Sequence, residues 1–337
     1  AGVNPYPGQG STAESPDKVF TPVHLFWGHP VSSRWSLGFG VYTPFGLATE
    51  WDNKDTFPGR FISTHASVTP FYFNPVVAWS PAAGVRLGGG IMAVHSSVTL
   101  ERNVGIPSPT GPSPDVLDMG TVTLEGSNSQ DFGVNLGAQL DLSRRVTVGG
   151  NFRSGVTTTY DGTATFTFRG TGTGLDPQLQ LIFPKTQGVA TEVTMPALAV
   201  AAIAYGTDTF LLEADLGWTQ WSKLQGLDLT FAEDSSLDSN IPLGWEDAWF
   251  FRVGAEWWLN PRTALRLGAY YDETPQPLTS VGPLLADSSR TGLSLGLGRQ
   301  LNESLRADLF GLWLLVPDRD TELQNRDGFN GVYANSV

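Results

Sequence analysis

Apolar and polar residues alternate along this chain in one stretch after another, and a period of two requires strands with unlike faces rather than amphipathic helices. Across residues 251–259, Phe251, Val253, Ala255, Trp257 and Leu259 share one face, while Arg252, Gly254, Glu256 and Trp258 share the other. Residues 265–272 repeat the pattern, with Leu265, Leu267, Ala269 and Tyr271 set against Arg266, Gly268, Tyr270 and Asp272. The same reading fits Phe210, Leu212, Ala214, Leu216 and Trp218 against Glu213, Asp215 and Gly217. It also fits Leu293, Leu295 and Leu297 against Gly292, Ser294, Gly296 and Gly298, then Leu305, Ala307 and Leu309 against Arg306 and Asp308.

The pattern predicts twelve strands, at 17–30, 33–46, 61–80, 84–101, 129–142, 145–168, 190–206, 208–231, 246–259, 262–273, 289–301 and 304–316. Their connections alternate in length. Those at 29–33, 80–84, 143–145, 206–208, 260–262 and 302–304 are tight, and those at 47–60, 102–128, 169–189, 232–245, 274–288 and 317–327 are long. An antiparallel membrane barrel has this rhythm, with short turns at one rim and large loops at the other. A soluble sandwich gives no reason for it.

A face that carries Arg, Glu and Asp on successive strands cannot meet lipid, where a mid-depth Arg costs about 2–4 kcal/mol. The apolar face therefore points outward. Composition agrees, with 39 glycines, 11 tryptophans and 16% charged residues, yet no apolar run approaches the roughly 18–20 residues of a membrane helix. The expected fold is an all-β transmembrane antiparallel barrel forming one unit over 1–337. Cysteine is absent, which removes disulfides and thiolate chemistry, and a net charge of −13 argues against nucleic acid. The first eighteen residues are loop-like, so any targeting segment is expected to have been removed or to lie outside this sequence.

Several features could carry chemistry. Residues 292–296 match the G-x-S-x-G pattern of hydrolases, but Ser294 falls inside an alternating strand with no helix after it. His24, His29, His65 and His95 lack metal-ligand spacing, so neither metal nor cofactor is expected. Glu213, Asp215, Arg252, Glu256, Arg266, Asp272, Arg306 and Asp308 form a near-balanced set of inward charges, read as a salt-bridged lumen wall. Trp218, Trp221, Trp245, Trp249, Trp257, Trp258 and Trp313 fall mostly near strand ends, as interfacial girdles do.

Two long loops carry apolar residues that water does not require: Val116, Leu117 and Met119, then Leu175, Leu179, Leu181, Ile182 and Phe183. They form either short helices packed on the barrel mouth or a patch that captures a hydrophobic ligand. One strand contains Thr43, Pro44, Phe45 and Gly46, where proline removes a ladder donor and glycine loosens the backbone. It is read as a strand end or as a kink that opens the wall.

Residues 41–51 (VYTPFGLATEW), 57–60 (FPGR), 74–79 (NPVVAW), 195–198 (MPAL), 214–222 (ADLGWTQWS), 245–254 (WEDAWFFRVG) and 265–275 (LRLGAYYDETP) together resemble the FadL family of outer-membrane transporters. The resemblance runs along almost the whole chain. It implies a fourteen-stranded barrel in the outer membrane of a Gram-negative bacterium, in contact with lipid and lipopolysaccharide, and a monomer without catalysis. Its ligand would be a long-chain fatty acid or an aromatic or aliphatic hydrocarbon, released sideways at a kink. By the shared G-L-A-T-E stretch, that kink falls on Thr43, Pro44, Phe45 and Gly46, facing Val19. The resemblance also implies that a plugging hatch, a first strand and a last strand lie outside this sequence. A water-filled porin, a purely structural barrel and an enzyme using Ser294 or a histidine are the competing expectations.

Overall fold

A computed structural model of the protein describes residues 12–17, 23–107 and 116–334. The chain runs through β1 (His24–Pro30), β2 (Trp35–Tyr42), β3 (Leu47–Glu50), β4 (His65–Ala82) and β5 (Val85–Pro107). It continues through β6 (Val116–Ser127), β7 (Asp131–Asp141), β8 (Val146–Arg153), β9 (Val156–Phe168) and a short helix, α1 (Asp176–Ile182). Then come β10 (Gln187–Met195), β11 (Leu198–Gly206), β12 (Phe210–Thr219), β13 (Gly226–Phe231), β14 (Ser239–Pro242) and β15 (Ala248–Asn260). Last are β16 (Thr263–Asp272), β17 (Arg290–Gln300), β18 (Arg306–Leu315) and a small ribbon of β19 (Arg319–Asp320) with β20 (Val332–Tyr333).

The first eighteen segments form one antiparallel sheet. They make twelve passes, six of them interrupted: β2/β3, β6/β7, β8/β9, β10/β11, β12/β13 and β14/β15; the expected loops 47–60 and 232–245 are corrected, since they contain β3 and β14. The lower wall reads β1-β2-β4-β5-β7-β8-β11-β12-β15-β16-β17-β18. Above the interruptions, β3, β4, β5, β6, β9, β10, β13 and β14 pair in that order. The expectation that 102–128 is a loop is corrected: β5 runs on to Pro107 and β6 begins at Val116. Among the described residues, β1 and β18 do not pair with each other.

Side-chain polarity explains the two levels. In the lower wall the outward residues are apolar and exposed, as with Phe132, Val134, Leu136 and Leu140 of β7 and Phe152 of β8. These segments are about as long as a tilted membrane strand requires, roughly 9–11 residues: β7 and β17 have 11, and β12, β16 and β18 have 10. Along β9, beyond the break at 154–155, the polarity of the two faces reverses. Thr157, Thr159, Thr163, Thr165 and Thr167 point outward, while Val156, Tyr160 and Ala164 are buried inward. The lower wall is built for hydrocarbon and the upper wall for water, and the ring of interruptions marks the boundary.

Inward glycines make room for large neighbours on this wall. A Cβ at Gly292 would collide with the Tyr270 ring, and one at Gly217 with the Phe250 ring. The serine between Gly292 and Gly296 lies mid-strand in β17, opposite Gly268, so no nucleophile elbow forms.

Candidate functional site

The break between β2 and β3 is a local slip of the ladder. Tyr42 pairs with Tyr72 and Leu47 pairs with Val68, so residues 43–46 face the shorter stretch 69–71. An extra residue on one strand bends it and interrupts pairing. Pro44 has no N–H to lose there, and a Cβ on exposed Gly46 would meet nothing within 4 Å. The strand pairing is therefore interrupted at Thr43–Gly46. The expected partner of that segment, Val19, lies outside the described residues.

Phe45 fills the inner side of this break. Its ring meets Trp221 edge-on at 5.3 Å, and Trp221 meets Trp245 at 4.9 Å in the same manner. The Arg153 guanidinium lies 4.8 Å from the centre of the Phe45 ring and 5.7 Å from that of Tyr72. Around this aromatic row Val98, Tyr160, Val193, Met195, Leu224 and Leu243 are buried. A void of about 20 Å³ among Val98, Leu100, Tyr160, Val189 and Leu229 holds no more than a water. A larger molecule entering this void must move side chains.

The segment 273–288 roofs the cluster, pressing Leu284 and Leu285 onto it. Three contacts tie that roof down. Trp51 Nε1 donates to the Pro283 carbonyl at 2.8 Å, Asn325 Nδ2 to that of Val281 at 2.6 Å, and Arg319 Nη2 to that of Gln276 at 2.9 Å. Below the cluster, Tyr42 OH donates to Asn74 Oδ1 at 3.4 Å and Asn135 Nδ2 donates to the same oxygen at 2.8 Å.

Two tryptophans assigned to the interfacial girdle belong inside instead. Trp245 is 2% exposed, and Trp221 packs beside it. Both sit in the breaks of interrupted passes, where the alternation read from sequence no longer fixes the side-chain direction. Trp249, Trp257 and Trp313 do face outward and are exposed. Sequence reasoning also missed Arg153, Tyr42 and Tyr72. The available signal was Arg153 at the end of an inward row, just before Ser154–Gly155.

Six of the eight predicted lumen charges are ion-paired. Arg266 holds Glu256 and, at 2.5 Å, Asp308, while Arg306 lies 3.3 Å from Asp308 and 3.9 Å from Glu256. Arg252 lies 3.8 Å from Asp272. Glu213 and Asp215 belong to none of these pairs among the described residues.

The predicted loop patch divides. Met119, Leu179 and Phe183 are buried together, with Leu117 and Leu175 packed against them. Val116 is half-buried. Leu181 and Ile182 remain 87% and 68% exposed. A seven-residue helix is unstable alone, so α1 docks through Leu179 and displays its other face. Asp176 shapes the turn before it: its carboxylate accepts from the Thr171 N–H at 2.8 Å, the Thr171 hydroxyl at 2.6 Å and the Gly172 N–H at 3.2 Å. These bonds hold its carboxyl below the usual carboxylate range.

Comparison with known proteins places these features in context. The family profile described as "Outer membrane protein transport protein (OMPP1/FadL/TodX)" matches residues 8–328. Outer membrane protein P1 of Haemophilus influenzae is 24% identical over 89% of this chain and 68% of its own length. The long-chain fatty acid transport protein of Escherichia coli O157:H7 is 22% identical over 83% of this chain and 67% of its own. The crystal structure of a Pseudomonas aeruginosa FadL homologue superposes with a TM-score of 0.77 at 20% identity, covering 92% of this chain and 73% of that one. The chain thus spans about two thirds of the length of these curated relatives.

Proposed function

The chain belongs to the outer membrane protein transport family (OMPP1/FadL/TodX), and from that premise we propose passive uptake of a hydrophobic small molecule, released sideways through the break at Thr43–Gly46. The observation that carries this reading is Phe45, which closes a ladder slip and is also part of the inner apolar cluster. Among the described residues, the lumen wall toward the opposite rim is charged. There the lumen wall carries Arg252, Glu256, Arg266 and Asp308, and an apolar molecule driven past them into water would forfeit roughly 25 cal/mol per Å². The wall beside Phe45 offers the shorter apolar route.

In this reading Leu181 and Ile182 meet the ligand first, at the outer surface. The roof segment then passes it to the aromatic row, and Phe45 swings to let it into the bilayer. The protein acts as a monomer surrounded by lipid and lipopolysaccharide.

Gly46→Arg tests the exit. Open space around Gly46 accommodates the new side chain, so the barrel should still fold, as judged by heat-modifiable gel mobility. A charge in the gap should cut hydrophobe uptake by cells at least tenfold. Undiminished uptake by the folded variant would place the exit elsewhere. Single-channel recording of the full-length protein separates this route from a water-filled pore, since a large steady conductance contradicts a lumen closed by the cluster.

A further inference from the structure

The lipid-facing wall is not uniformly full. Across β12, β15, β16 and β17 the outer face dips into an open groove of about 330 Å³, floored by Val253, Ala255 and Ala269 and bordered by Leu212, Leu267 and Leu293. The ladder puts all six on one face: Leu212 is opposite Ala255 and Ala255 opposite Leu267, while Val253 is opposite Ala269 and Ala269 opposite Leu293. Around the groove the outward side chains are large, with Phe251, Trp257 and Tyr271 exposed.

Below it, at the rim of short turns, β17 carries an outward arginine. Arg299 shares its face with Leu293, Leu295 and Leu297, lies opposite Thr263, and donates from Nη1 to the Thr263 hydroxyl. Arg262 belongs to the same corner, its carbonyl accepting from the Gln300 N–H at 2.8 Å. Both arginines are exposed. Among the described residues neither guanidinium has an acidic partner, whereas Arg252, Arg266, Arg290 and Arg306 are each ion-paired. Leu293 stands six residues along the strand from Arg299. At about 3.4 Å per residue and a tilt of about 45°, the groove lies about 14 Å deeper than the arginine, roughly half of a hydrocarbon core about 30 Å thick.

We propose that this wall holds one anionic glycerophospholipid of the periplasmic leaflet, with its phosphodiester on Arg299 and one acyl chain in the groove. A tail already in hydrocarbon gains nothing from leaving water, so the groove acts through shape and dispersion contact. Selection falls to charge. A guanidinium has five N–H donors, of which Arg299 spends one on Thr263; the others match phosphate oxygens in a forked geometry. Arg262 adds a second positive charge beside the same head group. The short turns mark the periplasmic rim, which assigns the lipid to the inner of the two leaflets.

The test uses full-length protein in mild detergent, given dioleoyl phosphatidylglycerol or dioleoylglycerol, which has the same tails without the phosphate. Native mass spectrometry counts the lipid retained. One phosphatidylglycerol per barrel should be held, about fivefold more tightly than dioleoylglycerol for each arginine engaged. Arg299→Gln should remove most of that preference. Ala255→Leu with Ala269→Leu fills the groove and should lower retention of both lipids, leaving their ratio unchanged. Heat-modifiable mobility checks that each variant folds. Equal retention of the two lipids by the wild-type protein, or a preference that survives Arg299→Gln, overturns the head-group contact. Retention untouched by the groove-filling pair overturns the acyl site. None of these outcomes bears on the break at Thr43–Gly46, so the transport reading stands or falls separately.

Discussion

Phe45→Ala separates a gate from a passive wall residue. The ring makes an edge contact with Trp221 at 5.3 Å and lies under the Arg153 guanidinium at 4.8 Å. An edge-on aromatic pair contributes about 0.5–1.5 kcal/mol, and a partly desolvated cation–π contact about 0.5–2 kcal/mol. Swinging the ring out therefore costs about 1–3 kcal/mol, which its removal would abolish. If that displacement limits release, the variant should transport about 5- to 150-fold faster, until capture or diffusion becomes limiting. Initial rates of labelled hydrophobe uptake, at ligand concentrations high enough to saturate capture, give the answer. Phe45→Trp should slow the same rate. The residue is half-buried at an interruption of the ladder, so the barrel's melting temperature in detergent should fall little. An uptake rate unchanged by Phe45→Ala in a folded barrel would refute the gating argument.

Other outcomes follow from separate parts of the molecule. Leu181→Glu with Ile182→Glu should weaken uptake at low ligand concentration and spare it at saturation, because these exposed side chains act in capture. Gly292→Val places a Cβ where the Tyr270 ring lies, and the forced repacking should cost about 1–3 kcal/mol, read as a lower melting temperature. Asp176 is held ionised by Thr171 and Gly172, so its contribution is fully present above the unfolded value of about 3.9 and is lost as pH falls through its lower folded value. Asp176→Ala should open the 169–175 turn at neutral pH as well, visible as faster proteolytic nicking there.

The membrane wall was legible because its alternation is enforced twice, by lipid outside and by paired charges inside. Period put Arg266 and Glu256 on one face, the cost of charge in lipid turned that face inward, and they do meet. The upper wall was harder. Along 156–168 the alternation persists but its meaning inverts, since threonine faces outward and Tyr160 inward. A pattern rule carries no mark of where hydrocarbon ends. Where a pass breaks, as at 220–225 and 243–247, direction is set by tertiary packing, and Trp221 and Trp245 were misplaced for that reason. The Thr43–Gly46 break was visible because Pro44 disables the ladder covalently, whatever surrounds it.

The position of that break matters as much as its existence. Within hydrocarbon an unpaired backbone group costs several kcal/mol, so a slip in mid-membrane would be ruinous. This slip lies at the level where the outward face of β8 and β9 changes from Phe152 to Thr157. There water and lipid head groups reach the unpaired groups, and Pro44 removes one donor outright. An opening at this depth also suits an amphiphile: its tail enters the acyl layer while its polar end stays at the interface. An alkane has no such reason to leave at the boundary rather than deeper in the wall.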